Sequence, residues 1–267
     1  MQTIPRYDML PDVSDMTIGV EAGAAELRMQ VLVLSSQKGG SGKTTLCGHL
    51  AVQAELTGAG PVAIVDTDPQ GSLADWWNIR EAETPRFIKT DLEFLHSDLE
   101  RMRQSGVRLV IIDTPPAVTE TISRIVAYAD LVVVPTRPSP HDLRAVGATL
   151  DIIEGQGKNL IFTINAAMPR ARITGDTAVA LSQHGTVAPV MLCQRIVYAT
   201  SMIHGRTVME TDPGSPAAQE VEQLWTYIAS RLNRPENRTT LGTGLFDRQR
   251  PGAFGRRRVR TVAEKVW

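Results

Sequence analysis

The sequence predicts an α/β fold in which a mostly parallel, twisted sheet is flanked by helices. Short apolar runs alternate with helix-like stretches along most of the chain, a glycine-rich loop follows the first run, and acidic residues follow two others. Alternation of this kind indicates βαβ units, whose connections place helices on both faces of the sheet. Because ligands bind beyond the carboxyl ends of parallel strands, we expect the loop and the acids to share one rim.

Each predicted element rests on its apolar pattern. Runs rich in Val, Ile and Leu suit strands that are buried on both faces, and apolar residues at 3.6-residue spacing indicate helices. The predicted strands lie near Val31, Val62, Leu109, Leu131 and Leu160. The predicted helices cover residues 44–56, 72–83, 92–104, 119–127, 142–154 and 216–232.

The first and last predicted helices have apolar faces that can be named. The residues available for one face of the first helix are Leu46, Leu50, Val52 and Leu56. Those of the last helix are Val221, Leu224, Trp225 and Ile228. Ser215 and Pro216 mark the start of the last helix, because proline suits the first helical position.

Composition excludes several classes of protein. The 267 residues suffice for one large domain with a sizeable core, and 42% hydrophobic and 21% charged residues are ordinary. No apolar run approaches the ~18 residues of a membrane span, and the N-terminus lacks the pattern of a secretory leader. The two cysteines and five histidines show neither a disulfide framework nor metal-ligand spacing. We expect a cytoplasmic protein in which Cys47 is a small buried residue.

Residues 38–45 read KGGSGKTT, which is typical of a phosphate-binding loop. Its glycines let the backbone turn N–H groups toward phosphate oxygens, and the start of the next helix adds partial positive charge. We expect Lys43 to contact the β- and γ-phosphates and the Thr44 hydroxyl to bind Mg²⁺. A chance Gly/Ser turn is the alternative, which the order of strand, loop and helix disfavours.

Lys38 is the unusual residue of this loop. The common pattern, G-x-x-x-x-G-K-[ST], has one lysine at its end, and its opening glycine position falls on Gln37 here. Lys38 therefore lies at the mouth of the loop, where folding back onto its own bound phosphates is awkward. It is better placed to reach a nucleotide held by a second copy of the chain, which predicts a nucleotide-dependent homodimer.

Three acids follow apolar runs at the expected rim. Asp66 and Asp68 follow the run at 62–65, and Asp113 follows the run at 109–112. Asp113 suits the acidic position that supports magnesium through its water shell. Asp66 and Asp68 point in similar directions if the strand continues that far, so one can assist the metal while the other orients the attacking water. A single acid could merely cap a turn, but three together favour a nucleotide hydrolase.

Taken together, these motifs resemble the ParA/MinD family of ATPases, which have a P-loop NTPase fold and a deviant Walker A loop. Within that family the chain is most similar to the small ParF-like plasmid partition proteins. The matching segments are residues 38–45, 66–70, 113–116, 130–143, 194–198 and 205–208, and the resemblance extends over roughly residues 29–232. Met29 lies where small partition ATPases usually begin, which leaves the start of translation open.

The resemblance implies a function and a role for each site residue. It implies a homodimer, formed with ATP and Mg²⁺, that binds nucleoid DNA nonspecifically and is released when a ParB-like or other cargo adaptor stimulates slow hydrolysis. Lys38 would reach across the dimer, and Asp68 would position the water. Asp66 and Asp113 would serve Mg²⁺ beside Thr44. The other implied nucleotide contacts are Gly39, Gly40, Ser41, Gly42, Lys43, Thr45 and, at the adenine, Asn165. The implied DNA contacts within the domain are Arg195 and Arg206.

Both ends are predicted to be additions to one ATPase domain. Residues 1–28 form an extension that we expect to be flexible, residues 29–233 form the ATPase domain, and residues 234–267 form a basic tail. The tail has eight Arg and one Lys against three acids, a net charge of +6; because the whole chain carries −1, the other 233 residues carry −7. Arg256, Arg257 and Arg258 could neutralise DNA phosphates.

The tail leaves alternatives open. Apolar residues recur at helical spacing among its arginines, namely Val259, Val262, Ala263 and Val266. A basic amphipathic helix of this kind also predicts a MinD-like ATPase attached to a membrane surface, or a tail packed on the domain or on a second copy. A scaffold that uses ATP only to dimerise is a further rival, which the presence of Asp68 disfavours. The cargo could be a plasmid, a chromosome, an organelle or a receptor cluster.

Overall fold

The computed structural model describes residues 28–116 and 120–233 as a helix-covered sheet. Its strands are β1 Gln30–Leu34, β2 Val62–Asp66, β3 Arg86–Phe87, β4 Leu109–Asp113, β5 Leu131–Thr136, β6 Leu160–Ile164 and β7 Thr186–Val187. Its helices are α1 Lys43–Leu56, α2 Ser72–Asn78, α3 Leu95–Gln104, α4 Glu120–Val126, α5 Pro140–Gly155, α6 Arg172–Ser182, α7 Ile196–Ile203, α8 Val208–Thr211 and α9 Pro216–Leu232.

All seven strands belong to one sheet, in the order β3-β2-β4-β1-β5-β6-β7. Every neighbouring pair is parallel. The carboxyl ends of the strands therefore meet at one rim. The predicted mostly parallel sheet flanked by helices is confirmed, and each of the five predicted strands is present.

The sheet is buried on both faces, and the side chains along each strand point alternately into the core on one face and the core on the other. Leu32 and Leu34 lie in the apolar core that includes α1, α2 and α9. Val31 and Val33 lie in the opposite core, with α3, α4 and α5. This two-sided burial explains why the strands read as continuous apolar runs in the sequence.

Helix α1 lies deep in the first core and contacts β2, α2 and α9. Leu46, Leu50 and Val52 are buried, as is Cys47, but Leu56 is 62% exposed. The expected single apolar face is therefore wrong for Leu56. Because neighbours surround α1 on several sides, all residues from Leu46 to Ala54 are buried, and Leu56 lies at the exposed C-terminal end of the helix.

Several element boundaries differ from the predicted ones. The helix predicted over 72–83 ends at Asn78, and the one predicted over 92–104 begins at Leu95. Strands β3 and β7 have two residues each, too few to show a period, and the pattern also missed α6, α7 and α8. The last helix is confirmed: the Ser215 hydroxyl accepts the N–H of Ala218, and Pro216 follows it. Its four predicted apolar residues are all buried.

Arg80, just after α2, connects the end of that helix to α8 and to the segment that leads into α8. Its buried guanidinium donates to the two carboxylate oxygens of Glu210 at 2.6 and 2.9 Å. It also donates to the carbonyl oxygens of Thr84 and Gly205, at 2.8 and 3.0 Å. The ring of Trp76 lies 5.4 Å from the guanidinium carbon. Because hydrogen-bond acceptors and an aromatic ring surround this buried cation, it fixes the point at which the chain leaves α2.

Removing the negative charge of Glu210 should destabilise the fold more than removing both members of the pair. Glu210→Gln removes the negative charge that accepts two hydrogen bonds from the buried Arg80 guanidinium, and we expect a loss of about 3 kcal/mol. The double variant Arg80→Met/Glu210→Met should lose much less, because no buried charge remains. Unfolding in guanidinium chloride measures both. Glu100→Gln breaks an exposed pair with Arg103 and serves as the control, with an expected change under about 0.5 kcal/mol. Equal losses in the single and double variants would contradict the charge argument.

Candidate functional site

The glycine-rich loop lies at the carboxyl rim of the sheet, between β1 and α1. The Ser35 N–H donates to the carbonyl of Val133 on β5 at 3.0 Å, which fixes the start of the loop against the neighbouring strand. Gly42 precedes α1 with φ of 94°, a left-handed conformation that favours glycine. A Cβ at Gly42 would lie 2.1 Å from Nδ2 of Asn165. Position 42 thus requires glycine, both for its left-handed backbone conformation and because a side chain would collide with Asn165.

Thr44 and Asp113 make the central contact of the site. The Thr44 hydroxyl donates to Oδ2 of Asp113 at 2.6 Å. Asp113 ends β4 and is almost fully buried. Burial raises the pKa of Asp113 to about 7; the hydrogen bond from Thr44 opposes this rise, and the negative charge of Asp66 adds to it. The carboxylate is therefore held in a place that favours a nearby cation.

Lys43 supplies a buried cation beside these acids. Burial lowers its pKa, while the charges of Asp113 and Asp68 raise it. Such a lysine at the start of α1 is suited to a ligand with dense negative charge.

Asp66 and Asp68 have different surroundings, because β2 ends at Asp66. The Asp66 carboxylate accepts the backbone N–H groups of Asp68, Leu73 and Ala74 at 3.0–3.1 Å. Burial raises the pKa of Asp66, and these hydrogen bonds oppose the rise. Asp68 is half-buried and accepts the N–H of Gln70. The condition for the two side chains to point alike, continuation of the strand to Asp68, is not met.

The oxygen groups around Asp113 fit Mg²⁺, which prefers oxygen ligands and retains several waters. Among the described residues, Oδ1 of Asp113 is buried without a hydrogen-bond partner. Asp66 pairs in register with Asp113 across β2 and β4. The described part of the chain has no group of three or more His, Cys, Asp or Glu residues that could hold a metal by themselves. One or two carboxylates, the Thr44 hydroxyl and phosphate oxygens are the set that a nucleotide-bound magnesium ion uses.

Lys38 lies at the exposed mouth of the loop, together with Gly39 and Gly40. Within residues 28–116 and 120–233, its ammonium forms no salt bridge. Ser41 is buried, whereas Thr45 is half-buried at the start of α1. Lys38 is thus exposed and Lys43 buried, and their roles toward a nucleotide stay predictions.

Asn165 follows β6 and lies against the same loop. Its Nδ2 donates to the carbonyl of Ser41 at 2.7 Å, and its Oδ1 accepts the N–H of Ala166 at 2.9 Å. The amide thus holds loop backbone across 124 residues of sequence. Its expected contact with adenine stays a prediction, and the hydrogen bond to Ser41 is a second use that the sequence did not indicate.

The two candidate DNA contacts among the described residues, Arg195 and Arg206, differ in exposure. Arg195 donates to Glu220 at 2.8 Å, and its side chain is 34% exposed. The Arg206 side chain is 55% exposed and lies 3.6 Å from a carboxylate oxygen of Glu81. Arg206 thus retains more solvent-facing charge than Arg195. The tail candidates Arg256, Arg257 and Arg258 lie outside the described residues, so their role stays a prediction. No helix in the described ranges is both long and apolar enough to cross a membrane.

His49 connects the loop helix to α8 and was not identified from the sequence. One turn after Thr45, its Nδ1 lies 2.8 Å from the Thr45 carbonyl, and the Val208 N–H donates to Nε2 at 3.3 Å. These partners fix a neutral imidazole with the proton on Nδ1. The ring also packs edge-on against Tyr198, with centroids 5.3 Å apart. Its only signal in the sequence was a histidine in an apolar helix.

Comparison with known proteins identifies relatives over most of the chain. Residues 32–235 match the family described as the CobQ/CobB/MinD/ParA nucleotide binding domain. Maintenance of carboxysome distribution protein A of Halothiobacillus neapolitanus is 29% identical over 213 residues, which cover 74% of this chain and 95% of that protein. Protein ParA of Rhizobium radiobacter is 28% identical over 204 residues, 71% of this chain and 90% of that protein.

A solved structure supports the fold. A variant of Cyanothece McdA in complex with ATP superposes with a TM-score of 0.62 at 17% identity, and the match covers 77% of this chain and 96% of that one. At this identity the likeness shows the fold alone. The fold expected from the strand–loop–helix order is thereby confirmed.

Acid should weaken the fold through His49. Burial lowers the pKa of His49 to about 4, whereas a histidine in the unfolded chain has a pKa of about 6.5. Between these pH values the unfolded chain binds a proton at His49 that the folded chain excludes. The contribution of the neutral His49 to stability is therefore present above pH ~6.5 and is lost as pH falls toward ~4. The expected loss is about 3 kcal/mol. Urea unfolding of the wild type and His49→Gln at several pH values measures it.

The variant His49→Gln should lack this part of the pH dependence, so its stability difference from wild type should shrink as pH falls. His184→Gln removes an exposed histidine and should leave the pH dependence unchanged. Parallel curves for wild type and His49→Gln would contradict the assignment.

Proposed function

The chain belongs to the CobQ/CobB/MinD/ParA family of nucleotide-binding ATPases, and from this premise we propose that it is an ATP-dependent dimerising ATPase that binds nonspecific DNA and positions a cargo. One observation carries the proposal: an exposed Lys38 stands at the mouth of a loop whose other lysine is buried beside the Thr44–Asp113 contact. A loop with one lysine would need no partner. The two lysines, so differently placed, support a site completed by a second copy.

In this proposal the phosphate chain of ATP lies along the loop, held by backbone N–H groups and the start of α1. Lys43 contacts the β- and γ-phosphates. Thr44 and Asp113 would hold Mg²⁺, and Asp66, in register with Asp113 on the neighbouring strand, would add negative charge beside it. Bound Mg²⁺ would neutralise phosphate charge as it builds up on the reacting oxygens.

Asp68 orients the attacking water in the proposed reaction. It lies two residues beyond the end of β2, half-buried, at the same rim as Lys43. The charge of Asp68 also acts on the pKa of Lys43, which indicates that the two groups are near one another. Phosphoryl transfer depends mainly on positioning and charge stabilisation, so an incomplete site hydrolyses slowly until a partner completes it.

Lys38 would neutralise phosphate charge of the nucleotide in the partner subunit. Two subunits closed face to face would bury both nucleotides, and their DNA-contacting cations would act together through multivalent phosphate contacts. Arg206, Arg195 and the tail arginines at 256–258 are the proposed contacts. Hydrolysis would open the dimer and release the DNA.

The cargo is proposed from the relatives. The relatives named above include a protein of carboxysome distribution and a ParA protein, so we propose distribution or segregation of a large cargo through a ParB-like or other adaptor. The ATPase domain would span 29–233, with 1–28 and 234–267 as additions. The protein would act in the cytoplasm at the nucleoid. The alternative is a MinD-like ATPase at a membrane surface, which the basic amphipathic pattern of the tail favours.

Replacing Lys38 should separate nucleotide binding from dimerisation. Lys38→Gln keeps the loop and Lys43, so we expect ATP affinity within about threefold of wild type, but no ATP-dependent dimer. Asp68→Ala is the matched variant: it should bind ATP and dimerise yet lose hydrolysis. Sedimentation velocity with and without MgATP, together with phosphate release, measures all three properties. A Lys38→Gln dimer that persists with ATP would overturn the proposed role.

Deleting residues 246–267 should distinguish the DNA and membrane proposals. The deletion removes seven of the tail's nine basic residues, so DNA affinity with MgATP should fall and its dependence on salt should become weaker. Gel-shift titrations at several salt concentrations measure this. Flotation with vesicles containing anionic lipid is the companion assay. Vesicle binding by the full chain that is lost on deletion would favour the membrane alternative, and unchanged DNA binding would contradict a DNA role for the tail.

A further inference from the structure

The loop has chemically different groups on its two sides. The strand order places β4 and β2, which carry Asp113 and Asp66, on one side of β1. On the other side lie β5 and β6, which are followed by Arg137 and Asn165. Asn165 already contacts the loop through Ser41. The side opposite the carboxylates therefore brings an amide and a guanidinium to the same rim.

Arg137 lies beside the outer half of the loop. Its Nη1 is 4.0 Å from the position that a Cβ on Gly40 would occupy. The side chain is exposed, and among the described residues it forms no salt bridge. Lys38 and Gly39 are exposed at the same mouth. Within residues 28–116 and 120–233, this guanidinium thus has no acidic partner, and it lies next to a loop that already has two lysines.

This arrangement has a cost that an anion would remove. Lys38, Lys43 and Arg137 are all positive, and like charges that share a site repel one another. A nucleotide phosphate would offset the repulsion, and a guanidinium matches phosphate oxygens because its planar N–H groups can bind two of them at once. The loop and Arg137 therefore fit the same ligand.

The backbone of Arg137 is restrained. Thr136, the last residue of β5, is buried, and its carbonyl accepts the Asn165 N–H at 2.9 Å. Pro138 follows Arg137 and restricts it to extended conformations. The Arg137 carbonyl accepts the Ser139 N–H at 2.7 Å. The backbone that carries this side chain is thus fixed at the rim, which reduces the conformational entropy lost when the side chain binds a ligand.

We propose that Arg137 contacts the terminal phosphate of the nucleotide bound by its own subunit, on the side of the loop opposite the carboxylates. The inference rests on the proposed function, since it deepens the same nucleotide site. Gly40 is exposed at the mouth of the loop together with Lys38 and Gly39. A guanidinium at the mouth would reach the outermost phosphate, the third one, and Arg137 would thereby favour ATP over ADP.

The test compares nucleotide affinities in the full-length chain. Calorimetric titration with the non-hydrolysable triphosphate AMPPNP and with ADP, both with Mg²⁺, gives the ratio of the two affinities. For Arg137→Gln we expect about tenfold weaker binding of the triphosphate and less than threefold weaker binding of ADP. Arg137→Lys should fall between wild type and Arg137→Gln, because it keeps the charge without the planar donors. Arg144→Gln removes an exposed arginine from α5 and should change neither affinity.

Each outcome decides between the inference and an alternative. Equal losses for both nucleotides would mean that Arg137 supports the loop structure, and no loss would mean that it does not contact phosphate; either overturns the inference. Unchanged triphosphate affinity with loss of the ATP-dependent dimer would place the guanidinium on the partner's nucleotide, and would overturn it as well. A wild-type chain that binds neither nucleotide would instead overturn the proposed function. Circular dichroism melting of Arg137→Gln confirms that the variant folds.

Discussion

The hydrogen bond between Thr44 and the buried carboxylate of Asp113 is the interaction on which the site depends. It joins the first turn of α1 to the end of β4, and it keeps a carboxylate out of water beside Lys43. A carboxylate whose pKa is raised by burial weakens the fold once it is ionised. A cation bound there would restore that stability, because a ligand that binds only the folded state stabilises it. The fold thus accepts a cost at Asp113 that a bound metal–nucleotide ligand would offset.

The same helix carries contacts from this site to the far side of the domain. His49 on α1 meets the backbone of Val208 and the ring of Tyr198, and the Tyr198 hydroxyl donates to Glu220 on α9. Burial opposes a low pKa at Glu220, but hydrogen bonds from Arg195 and its neighbours lower it, so the acid is held ionised. The loop helix, the α7–α8 segment and α9 therefore share one packed unit.

The sequence predicted the elements with strong patterns and missed those without. Val31 and Leu109 lie in strands because continuous apolar runs suit buried parallel strands. Helix α7 was missed because its apolar residues Ile196 and Ile203 are exposed, so they form no buried face that periodicity could indicate. The early end of α2 could not be predicted either, because it follows from the buried pairing of Arg80 with a residue 130 positions away.

The sequence by itself determined that a loop, two lysines and three acids would meet at one rim, because parallel strands all end on the same side of a sheet. The tertiary structure decided which groups face each other across the loop. Strand order places the carboxylates on one side and Arg137 with Asn165 on the other. Strand β2 ends at Asp66 in the folded chain, so Asp66 and Asp68 have separate surroundings. Strand order and burial depend on packing between segments far apart in the chain, and no local pattern of residues records that packing.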